Sequence, residues 1–141
     1  MFKGTLKYNL DPGSTFDSDY LEKIYKQTEL KLDLDMEIAE NGSNLSTGEK
    51  QLVCICRAIM RKSQVVILDE ATSNIDIVTE ERIQSLLETF LVDSTVITVA
   101  HRLNTIIKSD KVLVLSYGKV KEFDSPQTLM QDPASEFTKL L

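Results

Sequence analysis

The sequence has 141 residues, 42% of them hydrophobic, and a formal net charge of −6. This length favours a single domain with a substantial core, and the negative charge argues against a general polyanion binder, so no nucleic acid is expected as a partner. No apolar run approaches the length of a membrane-spanning helix, and the opening residues are not of signal-peptide type. Any link to a membrane is therefore expected to come from another chain or from sequence outside this one.

The first third of the chain predicts a turn, a helix, a strand and a loop. Residues 11–14 have the sequence DPGS, which is typical of a turn. Residues 19–28 place apolar side chains at helical spacing. Residues 31–38 alternate strictly between polar and apolar, which predicts a strand with one solvated face. Residues 40–44 are predicted to form a loop.

A longer helix is predicted to start after Ser46. Ser46 is a suitable N-cap residue, and Glu49 follows three positions later, as in a capping box. Cys54 and Cys56 lie two positions apart in this helix and point to different faces, so a disulfide or a shared metal site is not expected. Buried thiols in a reducing compartment are the simpler interpretation. The apolar face of the helix is formed by Leu52, Ile55, Cys56 and Ile59.

The rest of the chain alternates strands with helices. Residues 64–68 and 95–99 are short apolar runs of buried-strand type. Residues 111–115 and 119–123 predict a hairpin, and Pro126 predicts the first position of a terminal helix. Between the two buried strands, a helix is predicted with an apolar face of Ile83, Leu86, Leu87, Phe90 and Leu91. The predicted fold class is α/β, with a mostly parallel sheet flanked by helices and a C-terminal hairpin.

Two acidic residues directly follow the first of these apolar strands. Ligands of open α/β sheets bind beyond the carboxyl ends of the strands, where Asp69 and Glu70 stand. Mg²⁺ needs few carboxylates in addition to water and phosphate, so Asp69 suffices as its anchor, and Glu70 could polarise an attacking water. Taken alone, the pair is explained more simply as two solvated acids that cap the next helix.

Two further candidates for phosphate contact have equally ordinary alternatives. The predicted helix start offers free N–H groups, a hydroxyl donor on Ser46 and close backbone approach at Gly48. An ordinary capped helix start explains the same residues. His101 follows a strand and could donate to a γ-phosphate, or it could be a histidine satisfied by a backbone carbonyl.

A phosphate-cradling loop is not found in the sequence. Gly42, Gly48 and Lys50 superficially resemble the P-loop pattern G-x-x-x-x-G-K-[ST]. The two glycines are one residue too far apart, Glu49 follows Gly48, and Gln51 replaces the Ser or Thr. The residues that would surround the phosphates of a bound nucleotide are therefore missing.

The order of these motifs resembles the C-terminal part of an ATP-binding-cassette (ABC) ATPase domain. Residues 45–51, LSTGEKQ, resemble the ABC signature LSGGQ-x-Q, and residues 65–72, VVILDEAT, resemble its Walker B strand. Residues 73–76, SNID, resemble the D-loop, and residues 100–102, AHR, resemble the switch-histidine segment. The opening residues 2–12, FKGTLKYNLDP, are similar to the segment past the Q-loop in the second ATPase domain of subfamily C, the multidrug-resistance-associated proteins. The likeness covers essentially the whole chain.

The resemblance implies a role for each of these residues. Asp69 would coordinate Mg²⁺, Glu70 would be the catalytic base, and His101 would contact the γ-phosphate. Ser46 and Gly48 would contact ATP that an opposing domain holds, and Asp76 would communicate across the same interface. The residues expected to bind the nucleotide are Ser46, Thr47, Gly48, Glu49, Gln51 and Asp76.

The resemblance also implies the organisation of a larger protein. Residues from about 12 to 60 would form a helical subdomain with the signature, and residues from about 61 to 141 would form the Walker B, D-loop and H-loop core of a P-loop NTPase-like fold. ATP and Mg²⁺ would be bound between this chain and a second nucleotide-binding domain. Transmembrane domains of the parent would place the chain at the cytoplasmic face of a membrane, where ATP hydrolysis would drive the export of solutes.

Three departures from the family pattern are visible. The Walker A motif, the Q-loop glutamine and the adenine-stacking aromatic residue are missing, so the isolated chain is expected to be inactive. Glu49 stands where glutamine is commoner, and the stretch between Pro12 and Leu45 is shorter than usual. Two alternatives remain open, namely a non-catalytic fragment that completes a partner's ATP site and a soluble ABC ATPase that works on ribosomes or DNA. Basic extensions of the chain would favour the soluble ATPase, whereas the net negative charge of this sequence does not favour it.

Overall fold

The computed structural model describes residues 1–28, 30–69, 76–99 and 103–140. The chain forms two compact units, Met1–Thr98 and Val99–Leu141. The predicted division near residue 60 into a helical subdomain and a core stays a prediction. In the ranges that the structure describes, no helix is both long and apolar enough to cross a membrane.

Helices and strands alternate along the chain, which confirms the α/β class. The elements before the signature are β1 (Gly4–Thr5), α1 (Leu6–Leu10), α2 (Ser18–Thr28), β2 (Glu37–Ile38) and a 3-10 turn (Glu40–Gly42). From the signature onward, they are α3 (Thr47–Arg61), β3 (Val65–Asp69), α4 (Ile77–Phe90), β4 (Thr95–Val99), α5 (Leu103–Ile106), β5 (Val112–Ser116), β6 (Lys119–Asp124), α6 (Pro126–Met130) and a second 3-10 turn (Thr138–Leu140).

Helix α3 is the centre of the first unit, because α1, α2 and α4 all pack against it. Its N-terminus is the predicted capping box, in which the Ser46 hydroxyl accepts the Glu49 N–H and the Glu49 carboxylate accepts the Ser46 N–H. The predicted apolar face is buried. Cys56 lies in the core, but Cys54 is exposed, so the prediction of buried thiols holds for Cys56 only. Burial raises the pKa of the Cys56 thiol.

Hydrogen bonds of a buried asparagine, Asn9, connect the N-terminal segment to α3. The Asn9 side chain accepts the Phe2 N–H at 2.8 Å and donates to the carbonyls of Phe2 and Thr5 at 2.8 and 3.1 Å. Arg57 of α3 donates to Asn9 Oδ1 at 3.1 Å and also to the Asn9 carbonyl. The residues before α1 are thereby connected to the helix that carries the signature.

The predicted strand over residues 31–38 is wrong except at its end. Only Glu37–Ile38 is extended, and it pairs with Gly4–Thr5 in antiparallel register. The Asp33 side chain accepts the Asp35 N–H at 2.9 Å, and its carbonyl accepts the Met36 N–H at 3.0 Å. These local bonds fold the segment into a turn, because side-chain-to-backbone hydrogen bonds compete with strand pairing.

Strands β3 and β4 pair with each other and present apolar side chains to solvent. Val66 is buried, but Val65 is 54% exposed and Ile67 is 68% exposed, and all five residues of β4 are exposed. The prediction of fully buried strands is therefore wrong for the chain as it stands. The composition of β3 nevertheless suits a strand covered on both faces.

The second unit contains the predicted hairpin and terminal helix. β5 and β6 are antiparallel, and Tyr117 and Gly118 both have positive φ, as a type I′ turn requires. Ser125 caps α6 through the Thr128 N–H, and Pro126 occupies its first turn. The small core of this unit consists of Val112, Leu129 and Phe137.

Candidate functional site

A surface cleft of about 460 Å³ lies in the first unit. Three parts of the chain form its walls: the start of α3, the start of α4 and the segment that follows α2. Of the predicted site residues, the structure brings five together there: Ser46, Thr47, Gly48, Glu49 and Asp76. The remaining lining residues are Leu30, Lys31, Leu52, Thr79 and Arg82.

On the α3 side of the cleft, the donors of Ser46 are already in use. The Ser46 hydroxyl donates to Glu49 Oε2 at 2.7 Å, and the Ser46 N–H donates to the same oxygen at 2.8 Å. The Glu49 carboxylate thus takes the place that an external anion would take at this helix start. Gly48 has helical backbone, so a left-handed conformation does not explain glycine there. The prediction that Gly48 allows close approach of a phosphate stays a prediction.

On the α4 side, Asp76 is the N-cap residue of the helix. Its carboxylate accepts the Thr79 N–H at 3.0 Å and the Thr79 hydroxyl at 2.7 Å. The hydroxyl bond and the N–H bond hold the pKa of Asp76 below its ordinary value, so this side chain is an anion at neutral pH. The negative charge also suits the positive end of the helix dipole.

The other predicted site residues lie outside this cleft or outside the described residues. Gln51 is on α3 but does not line the cleft, and its Oε1 atom is buried without a hydrogen-bond partner among the described residues. Asp69 is the last residue of β3 and is exposed. Glu70 and His101 fall outside the described residues. The structure therefore groups five of the six residues predicted to bind the nucleotide, and the grouping of the hydrolytic residues stays a prediction.

Among the predicted metal-site residues, the structure describes one carboxylate, that of Asp69. Within the described ranges, no group of three His, Cys, Asp or Glu side chains could hold a metal. Asp69 presents one carboxylate to solvent at the carboxyl end of β3. Mg²⁺ retains water and takes phosphate oxygens as ligands, so one such carboxylate is compatible with it.

Three polar residues of the cleft were not predicted from the sequence. Thr79 could have been found, because a Thr three positions after the N-cap residue Asp76 is in reach of its carboxylate. Lys31 and Arg82 carry no local signal. They enter the cleft through packing between elements that are far apart in the sequence.

The class that the fold and the comparisons define is an ATP-binding domain of the ABC transporter type. The sequence profile described as "ABC transporter" matches residues 4–73, and the chain belongs to the ABC transporter family. It is part of the ATP-binding domain, and its similarity is to subfamily C.

Relatives match along the whole chain but are much longer than it. Human "ATP-binding cassette sub-family C member 4" is 45% identical over 148 residues, covering 100% of this chain and 11% of the relative. "ABC transporter C family member 6" of Arabidopsis thaliana is 42% identical over 148 residues, covering 100% of this chain and 10% of the relative. The solved "Structure of a bacterial Atm1-family ABC exporter with ATP bound" matches with a TM-score of 0.88 and 31% identity, covering 99% of this chain and 26% of that chain. The chain thus spans about a tenth of the length of these curated relatives.

Proposed function

We propose that this chain is the signature-bearing part of an ATP-hydrolysing nucleotide-binding domain in an exporter, corresponding to the second such domain of subfamily C. The observation that supports this most is the common cleft of the signature start, Ser46 to Glu49, and the D-loop residue Asp76. Both helix starts line the same volume, and the positive dipole end of each already faces a carboxylate, that of Glu49 on α3 and that of Asp76 on α4. A γ-phosphate that an opposing nucleotide-binding domain holds would be contacted there.

The hydrolytic half of the proposal rests on three other residues. Asp69 would hold Mg²⁺, which supplies positive charge for the phosphate oxygens when it is bound. Glu70 would orient and deprotonate the attacking water, and His101 would donate a hydrogen bond to the γ-phosphate. Gln51 is likewise proposed to face the same nucleotide, although it does not line the cleft.

The proposed partners are a second nucleotide-binding domain and the transmembrane domains of the parent transporter. One of the matched proteins is a transporter by name, and one is an exporter by title. In such an assembly, this chain would lie at the cytoplasmic face of a membrane and would reset the transporter after each ATP is hydrolysed.

A second candidate function is a non-catalytic fragment that completes the ATP site of a partner. The sequence has the signature half of a site and no Walker A loop. The described cleft, lined by Ser46 to Glu49 and Asp76, would then belong to the half that closes over a nucleotide held elsewhere. In this case, Glu70 would have no catalytic role.

The test uses a chimeric transporter in which this chain replaces the aligned region of the human relative. Glu70→Gln should lower the ATP turnover of the site about 10²-fold while ATP still binds, because the side-chain shape is kept and the base is lost. Glu88→Gln, which changes an exposed glutamate on α4, is the matched control and should leave turnover unchanged. Turnover of Glu70→Gln at the level of the control would favour the non-catalytic candidate.

A further inference from the structure

Arg82 of α4 reaches from the cleft to the end of another helix. It is half-buried and lines the cleft, and its Nη2 atom donates to the Thr28 carbonyl at 2.5 Å, across 54 positions of sequence. Thr28 is the last residue of α2 and is completely buried, and its hydroxyl donates to the Tyr25 carbonyl at 2.7 Å. The acceptor of the arginine is thus fixed by its own packing.

This contact suits both the charge and the geometry of a helix end. The last carbonyls of a helix lack intrahelical partners and carry partial negative charge, so a guanidinium there satisfies an acceptor and complements the dipole. Helices α2 and α4 each pack against α3. The Arg82 bond adds a direct polar link between α2 and α4. Each of the three helices α2, α3 and α4 therefore contacts the other two.

The link joins two walls of the cleft. Asp76 caps the start of α4, less than two turns before Arg82 on the same helix. Leu30 and Lys31, shortly after Thr28 in the chain, also line the cleft. A change at the Arg82 contact would therefore shift Asp76 relative to the wall that includes Ser46.

We propose that Arg82 is a positioning residue that sets the spacing between Asp76 and the signature helix for closure on a partner's ATP. The inference rests on the proposed function. In this role, Arg82 acts through its bond to the Thr28 carbonyl. Misplacement of reacting groups by about 1 Å can cost on the order of 10²-fold in rate. A shift of Asp76 is therefore expected to lower ATP turnover more than it weakens ATP binding.

The experiment compares kcat and KM for ATP in the chimeric transporter described above. Arg82→Met keeps the length of the apolar stem and removes the donor, and it should lower kcat about fivefold with KM changed less than about twofold. Arg82→Lys keeps one donor and the charge, and it should restore kcat to about half of the unsubstituted value. Arg61→Met removes an exposed arginine at the end of α3 and serves as the matched control.

The outcomes separate this inference from the proposed function. A kcat of Arg82→Met equal to that of Arg61→Met would overturn the positioning role, and so would a loss that Arg82→Lys does not relieve. If Arg82→Met fails to fold, Arg82→Lys is compared with Arg61→Lys, where a twofold lower kcat supports the role and equal values overturn it. The proposed function fails on different grounds, namely if Glu70→Gln leaves turnover intact.

Discussion

Asn9 shows how much of the first unit depends on one buried amide. Its Oδ1 atom accepts from Phe2 and Arg57, and its Nδ2 atom donates to Phe2 and Thr5. Asn9→Ala would leave several part-buried partners unsatisfied and should lower the free energy of unfolding by about 2–4 kcal/mol. Urea denaturation measures this change. Gln27→Ala, which removes an exposed amide, should cost less than about 0.5 kcal/mol, and equal effects of the two substitutions would contradict the assigned role.

Glu49 is the residue at which this site differs from the commoner family pattern. Because its carboxylate holds the Ser46 hydroxyl and N–H, a phosphate must displace it and approach its charge. Glu49→Gln should therefore lower the ATP concentration for half-maximal turnover of the chimeric transporter about three- to tenfold, equivalent to about 0.7–1.4 kcal/mol. Glu40→Gln removes a nearby exposed carboxylate and should have little effect. An unchanged or higher ATP requirement for Glu49→Gln would show that the carboxylate does not compete.

At the scale of elements, Glu122 of β6 holds the C-terminal segment. Burial raises the pKa of its carboxyl, but hydrogen bonds from the Glu136 and Phe137 N–H groups and from the Ser135 hydroxyl outweigh this and hold the pKa below the ordinary 4.5. The ionised carboxylate therefore contributes stability that is fully present above 4.5 and is lost as the pH falls through the lowered pKa. The Phe137 amide shift, followed by NMR from about pH 6 to pH 3, should report this loss.

The NMR titration of the Phe137 amide is repeated in one test variant and one control variant. Glu122→Gln should remove the acid-dependent change of the Phe137 amide, because the partner no longer titrates. Glu88→Gln should titrate like the unsubstituted chain, since Glu88 is an exposed residue of α4. An unaltered pH profile in Glu122→Gln would assign the transition to another carboxyl group.

The elements that the sequence predicted correctly are those with local stop and start signals. Ser46 with Glu49, Tyr117 with Gly118, and Ser125 with Pro126 each act within a few positions of one another. The segment 31–38 was wrongly predicted because its alternation is also compatible with a turn. The Asp33 side chain selects that turn, and hydrophobic periodicity does not register such a bond.

At the scale of the whole molecule, the isolated chain should neither bind ATP tightly nor hydrolyse it. Tight binding needs backbone N–H groups and a lysine around the β- and γ-phosphates, and the sequence has no such loop. Titration calorimetry of the purified chain with Mg²⁺ and ATP should show no binding at micromolar concentrations. If the isolated chain binds ATP with micromolar affinity and Asp69→Asn abolishes that binding, the chain contains a complete ATP site and the prediction is wrong. Ser46→Arg is the control, because it alters the half-site for a partner's nucleotide and should not change the result for the isolated chain.

The sequence by itself determined the family and those elements whose start and stop signals are local. These properties depend on residues that are neighbours in the chain, so their pattern is visible before any folding. Only the tertiary structure decided that Ser46 and Asp76 share one cleft, that Arg82 bonds to Thr28, and that β3 presents apolar side chains to solvent. These features depend on which distant segments pack together and on what covers a strand, and neither is encoded in the spacing of residues along a single segment.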